Sequence, residues 1–209
     1  MGFDNMKVGI INYGGGNVQS VVNAISFLEI PYVFSNKESE LSECTHLILP
    51  GVGAFGTVID TLRAQGLIEI LNRLVLEKKK KLLGICIGMQ ILVEDGVEFG
   101  QHNGLGWIKG KCLKLDVAKD GLFLPHIGWN SVQVDIKSFP LFKGIEPGTS
   151  FYFVHSYAVK LAEEILTARC SYGEDFVAGL MKDNIYGVQF HPEKSQEAGL
   201  RLLKNFCEL

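Results

Sequence analysis

Residues 81–90 read KLLGICIGMQ, a short apolar run that ends in a cysteine held between two glycines. Lys81–Ile85 has the length and composition of a buried strand, and a helix is predicted over about Gly88–Glu94. A strand that passes into a helix through Gly-x-Cys-x-Gly has the pattern of a nucleophile elbow, with Cys86 in the nucleophile's place. Such a turn strains its central residue, so side chains two positions to either side have to vanish. Cys86 then sits at a helix N-terminus, where the dipole favours a thiolate. The Ile87 amide points where an oxyanion would form. The bland alternative is a small buried hydrophobe, the usual fate of a free cysteine.

Outward from the elbow, the first half alternates strand and helix signals. Lys7–Asn12 reads as a buried strand ending in the turn Gly14-Gly15-Gly16, and Asn17 can cap a helix carrying Val18, Val21, Val22, Ile25 and Leu28 on one face. Strands are predicted at Pro31–Ser35 and Thr45–Leu49, the latter closed by Pro50-Gly51. A helical stretch covers about Gly56–Lys79 and breaks near Gly66. Strands separated by helices imply βαβ units and a parallel sheet in an α/β fold. Strand signals crowd the second half at Gly106–Leu115, Ser131–Val134, Phe151–Val159, Ile165–Tyr172, Phe176–Lys182 and Asn184–Phe190. Turn residues between them indicate antiparallel or mixed pairing. A last helix is predicted at Ser195–Cys207. With no repeat, low-complexity tract or linker, residues 1–209 are expected to form one domain.

Composition narrows the partners. Hydrophobic residues make up 47% and charged residues 21%, a globular balance, and the net charge of -3 offers no basic field for nucleic acid or anionic lipid. The run Lys78–Lys81 reads as the solvated end of a helix. Five cysteines without a CxxC pair argue against a disulfide framework and a structural zinc site, so no metal or cofactor is expected. The apolar stretch Val8–Tyr13 is too short for a signal-peptide core or a membrane span. The expectation is a reduced, cytoplasmic protein.

A base for the cysteine is available at YGVQFHPE, residues 186–193. Val188 and Phe190 alternate as in a half-buried strand, which leaves His191 at its end. Pro192 stops the ladder and pushes His191 toward an extended conformation. Residues two apart then share a side, so Glu193 is predicted to reach the imidazole and orient it toward Cys86. Both motifs end strands, which is where open α/β sheets place their ligands.

The segments GICIGMQ (84–90) and QFHPE (189–193) resemble the signatures of class I, triad-type glutamine amidotransferases. Four more, YGGGNVQS (13–20), PGVGAF (50–55), PHIGWN (125–130) and YFVHSY (152–157), resemble the glutaminase subunits of imidazole glycerol phosphate synthase. The likeness runs in order from near residue 7 to the C-terminus. It implies a flavodoxin-like amidotransferase fold: a central mixed, mostly parallel sheet flanked by helices, with further antiparallel strands in the second half. It also implies glutamine as substrate, Cys86, His191 and Glu193 as a triad, and a glutamyl thioester hydrolysed by water. The oxyanion would meet backbone amides near Val52, Gly53 and Ile87, and a peptide flip at the glycine-rich Pro50–Gly53 segment is physically easy. Gly51, Gln90, His155, Ser156 and Tyr157 match substrate-binding positions. Read from the residues alone, Gln90 is equally a helix-surface residue and His155 a satisfied strand histidine.

The same resemblance implies a partner, a (βα)8-barrel cyclase that consumes the ammonia and a ribulosyl aminoimidazole nucleotide, with Asn17, Trp129 and Tyr152 at the interface. Asn12 stands where many relatives carry Asp, and Ile87 replaces the commoner Leu. The stretch VEDGVEFG (93–100) departs from the usual acidic segment after the elbow. A paralogous branch feeds ammonia to surface-sugar amidotransferases that make amidino sugars, and its triad would be identical. A stand-alone cysteine hydrolase and a catalytically dead binding module are the other classes weighed. The QFHPE match disfavours the first, and the intact Cys86, His191 and Glu193 the second.

Overall fold

The computed structural model describes residues 6–15, 18–117, 121–135 and 138–209. Its first three strands, β1 (Val8–Ile11), β2 (Tyr32–Ser35) and β3 (His46–Leu49), and the elbow strand β4 (Lys81–Ile85) all run parallel. Every residue of β1 and β3 is buried, as is all of β4 after Lys81. Strands covered on both faces need such unbroken apolar runs, which is why these were legible as strands.

The second half supplies β5 (Val93–Gly96), β6 (His102–Asn103), β7 (Ile108–Lys114), β8 (His126–Ser131) and β9 (Ser150–His155). It continues with β10 (Tyr157–Leu161), β11 (Leu166–Tyr172), β12 (Glu174–Lys182) and β13 (Ile185–Val188). Seven strands form the central sheet in the order β11-β12-β13-β4-β3-β1-β2. β13 joins β4 in parallel, whereas β11, β12 and β13 pair antiparallel, so the sheet is mixed and mostly parallel. A four-stranded sheet, β10-β7-β5-β6, and the ribbon β8-β9 complete the β structure.

Helices cover both faces. α1 (Val18–Phe27) and α6 (Gln196–Cys207) bury Val21, Ile25, Leu202 and Phe206 in one core cluster with the phenylalanines of β9. α3 (Phe55–Ala64) and α4 (Leu67–Leu71) bury Val58, Leu62, Leu67 and Leu71 in the other, following the short α2 (Glu38–Leu41). Gly66 separates α3 from α4 with φ 67°, the left-handed break that glycine tolerates. α4 continues as a π turn over Asn72–Glu77.

Three expectations are corrected. The helix after the elbow, α5, spans only Ile87–Gln90, and Val93–Gly96 is a strand. Ile91, Leu92 and Val93 are fully buried, and such a short apolar run does not distinguish a covered strand from a helix. In place of a strand at Ser131–Val134, the chain pairs over His126–Ser131 against β9, and Gln133 makes an isolated bridge to Arg169. The expected strand Phe151–Val159 divides at Ser156, whose carbonyl accepts from the Leu115 amide, so that β9 and β10 serve different sheets. Periodicity does not report which sheet a strand joins. Asn17, expected as a helix cap and an interface residue, lies outside the described residues.

Candidate active site

The parallel strands all deliver their C-terminal ends to one edge of the central sheet. Tyr13 follows β1, Pro50–Gly53 follow β3, Cys86 follows β4, and Gln189–His191 follow β13. At the elbow Cys86 has φ 53° and ψ −112°, a sparsely populated conformation for any residue with a side chain. Its amide donates to the Val188 carbonyl at 2.7 Å, and its carbonyl accepts from Met89 and Gln90 to start α5. A Cβ on Gly84 would lie 2.5 Å from the Gly88 oxygen, and one on Gly88 would lie 2.0 Å from the Leu49 oxygen. Both glycines are therefore required by backbone contact. Ile87 opens α5, where an amide has no intrahelical acceptor.

His191 is 1% exposed, and its Nδ1 lies 2.8 Å from Glu193 Oε1. A carboxylate accepts, so Nδ1 carries the hydrogen and Nε2 is left for the reaction. Nε2 is buried with no hydrogen-bond partner among the described residues. Burial alone would lower the pKa of His191, but Cys86 and Glu193 outweigh it and push it up to about 10. Glu193 reaches the ring from the turn Pro192–Lys194, not from the extended segment expected, because Pro192 begins a 3-10 turn. α6 packs so closely there that a Cβ on Gly199 would fall 1.8 Å from the Pro192 oxygen.

Cys86 and His191 line one cleft of about 300 Å³ with Val52, Gly53, Ile87, Gln90, Glu98, His155, Ser156 and Tyr157. Gly51 packs against Ile87, where a Cβ would strike the side chain at 1.9 Å. Gly53 has φ 124°, a backbone conformation open to glycine. A larger groove of about 530 Å³ between α1 and α6 brings together Glu146, Glu197, Arg201 and Lys204, with no cysteine, serine or histidine in its lining. Among the described residues no cluster of His, Cys, Asp or Glu could hold a metal, and all five cysteines are free and buried.

Residues 10–209 match the family described as Glutamine amidotransferase class-I. The chain belongs to the class I glutamine amidotransferases. It is 43% identical to imidazole glycerol phosphate synthase subunit HisH 1 of Campylobacter jejuni over 202 residues, covering 97% of this chain and 100% of that protein. It is also 43% identical to the HisH subunits of Helicobacter hepaticus, with 98% and 99% covered, and of Methanocaldococcus jannaschii, with 97% and 99% covered. Solved structures share the fold at lower identity. The structure of PurLQS from Thermotoga maritima superposes with a TM-score of 0.77 at 19% identity, covering 98% of both chains. A structure described as glutamine amidotransferase gives 0.71 at 22%, covering 96% of this chain and 97% of that one.

Within this class I amidotransferase, Cys86, His191, Val52, Gly53, Ile87, Gln90 and His155–Tyr157 line the cleft, whereas Glu193 stands behind His191 and Gly51 beside Ile87, both outside its lining. Trp129 and Tyr152 lie elsewhere, as cross-strand partners on β8 and β9 with ring centroids 6.1 Å apart. Trp129 is 49% exposed. The His155 ring is committed to structure: Nδ1 donates to the Tyr157 carbonyl at 2.9 Å, so Nε2 accepts from His126 Nδ1 at 3.1 Å. Burial lowers the pKa of His155 to about 3 and of His126 to about 4, so both rings are neutral near pH 7.

Sequence reasoning assigned no part to Glu98, Tyr13, His126 or the side chain of Gln189. Glu98 lines the cleft and accepts from the Phe55 amide at 2.8 Å. Its only signal was a carboxylate in the glycine-flanked stretch after the elbow. The Tyr13 hydroxyl donates to the Pro50 carbonyl at 3.0 Å and ties the end of β1 to the Pro50–Gly53 segment. Burial pushes that hydroxyl up to about 12, against the opposing pull of the Val52 amide.

Proposed function

We propose that this chain is the glutaminase subunit of imidazole glycerol phosphate synthase, with Cys86, His191 and Glu193 as its catalytic triad. One observation carries the reading: His191 has Nδ1 held by Glu193 at 2.8 Å and an unpartnered Nε2 in the cleft that contains Cys86. Glu193 stabilises the imidazolium form of His191, which holds the proton taken from Cys86 opposite the thiolate. The sulfur attacks the side-chain amide carbon of glutamine, and the oxyanion is met by the Ile87 amide and, after a peptide flip, by that of Gly53. Collapse of the tetrahedral adduct expels ammonia, which leaves with the proton from His191. Water, deprotonated by His191, then attacks the thioester carbon, and the C–S bond breaks to release glutamate and the Cys86 thiolate opposite the His191 imidazolium.

Substrate selection follows from charge. Free glutamine carries an ammonium group, and Glu98 is the acidic side chain in the cleft to receive it. Gln90 presents its side-chain oxygen, while Gly51 and the backbone of His155–Tyr157 hold the amino-acid end. Ammonia passes to a (βα)8-barrel cyclase docked at the face carrying Trp129 and Tyr152; the chain acts as one amidotransferase domain in the cytoplasm. The names of the relatives at 43% identity favour this destination over sugar amidination. The deciding experiment is Cys86→Ala in the reconstituted synthase. Glutamine-dependent synthesis is expected to vanish while ammonium salts still support the reaction. Glutamine-dependent turnover at the wild-type rate would overturn the proposal.

A further inference from the structure

The side chain of Gln189 is fully buried behind the elbow, and its orientation can be deduced from a single backbone atom. The Tyr157 carbonyl can only accept, and a Gln90 side-chain atom lies 2.8 Å from it, so that atom is the Nε2 donor. The same Nε2 lies 3.0 Å from the Gln189 side chain, which must turn Oε1 toward it. The Gln189 amide nitrogen is then directed at Cys86 Sγ, 3.7 Å away. Both Nε2 hydrogens of Gln90 are thereby committed, which also explains why its oxygen is the atom left for the cleft.

We infer that Gln189 is a positioning residue for the nucleophile: its amide N–H, aimed by Gln90 and the Tyr157 carbonyl, holds Cys86 Sγ in place and favours the thiolate. The inference rests on the proposal that Cys86 is the nucleophile. An N–H directed at sulfur stabilises a thiolate more than a thiol, because a hydrogen bond to a charged acceptor is the stronger one. The donor lies outside the triad and is buried behind the elbow. It also persists once the sulfur is acylated, which steadies the thioester for attack by water.

The test is the pH dependence of Cys86 alkylation by iodoacetamide, read by mass spectrometry of the Cys86 peptide. It compares the wild-type chain with Gln189→Met and Gln189→Leu, which nearly conserve volume but carry no donor. The ionisable groups around the sulfur are the same in all three proteins: His191 with Glu193, and Glu98, Tyr157 and the neutral His155 in or beside the cleft, with Tyr13 bonded to the Pro50 carbonyl. The alkylation midpoint is expected to rise by about one pH unit in whichever variant folds, with alkylation about tenfold slower below it. Glutamine turnover should fall through kcat with KM little changed. An unchanged midpoint overturns the inference even if turnover falls, since that result describes packing alone. A wild-type Cys86 that resists alkylation at every pH would instead sink the nucleophile reading itself.

Discussion

The backbone amide of His191 donates to the Tyr152 carbonyl at 2.9 Å. The proposed base is thus bonded directly to the strand whose side chains Tyr152 and, across the ladder, Trp129 form the aromatic pair of the expected docking face. Ser195 strengthens the link, accepting from the Tyr152 amide at 3.0 Å and donating to the His191 carbonyl at 2.6 Å. A partner that shifts β9 therefore acts on His191 by two routes, one hydrogen bond direct and two in series through Ser195.

Glu193→Gln keeps an oxygen for Nδ1 but removes the charge that stabilises imidazolium. Glutamine hydrolysis is expected to fall about 100-fold in kcat, with the thermal midpoint little changed. A coupled assay of glutamate release checks this.

Gly88→Ala places a methyl group 2.0 Å from the Leu49 carbonyl oxygen, a backbone atom that cannot yield without moving β3. The expected outcome is a loss of about 3 kcal/mol or more in stability together with loss of turnover. Urea unfolding followed by circular dichroism measures the first.

Trp129→Ala removes a half-exposed ring that the isolated chain needs little. Its thermal midpoint should stay within a few degrees. Binding to the barrel subunit, measured by titration calorimetry, should weaken about 30-fold, the loss of roughly 2 kcal/mol typical of an aromatic hot spot.

Stability should peak near pH 6.5 and decline on both sides. His46, His126 and His155 are held neutral by burial, with pKa values lowered to about 4, 4 and 3. Their unfolded forms bind protons first, so stability is present above about pH 6.5 and lost as pH falls toward 4. His191, raised to about 10, works the other way: its contribution is complete below about pH 6.5 and is lost as pH rises through 10. Each ring contributes a slope of at most about 1.4 kcal/mol per pH unit. Urea midpoints at pH 5, 6.5 and 9 test the shape, and His191→Asn should flatten the alkaline limb.

Sequence alone determined the features that depend on neighbouring residues. Unbroken apolar runs marked β1, β3 and β4, Gly66 marked the break between α3 and α4, and Gly84 and Gly88 marked the strained turn at Cys86. These are local steric and hydrophobic demands, and a chain carries them wherever it folds. His191 and Glu193 were also legible, because two residues on one turn meet without help from elsewhere.

Tertiary structure alone decided what arrives from a distance. Ser156 divides one expected strand between two sheets, and His126–Ser131 pairs where Ser131–Val134 was expected, because the pairing edge was set by elements far along the chain. Glu98, Tyr13 and Gln189 carry no spacing signal, and each reaches the site only when parallel packing brings the strand ends and their loops to one edge. The orientation of Gln189 depends on the Tyr157 carbonyl through Gln90, three residues that are neighbours only in the fold. A hydrogen-bond direction belongs to the donor and acceptor that meet, and that meeting is made by the packing of the sheet.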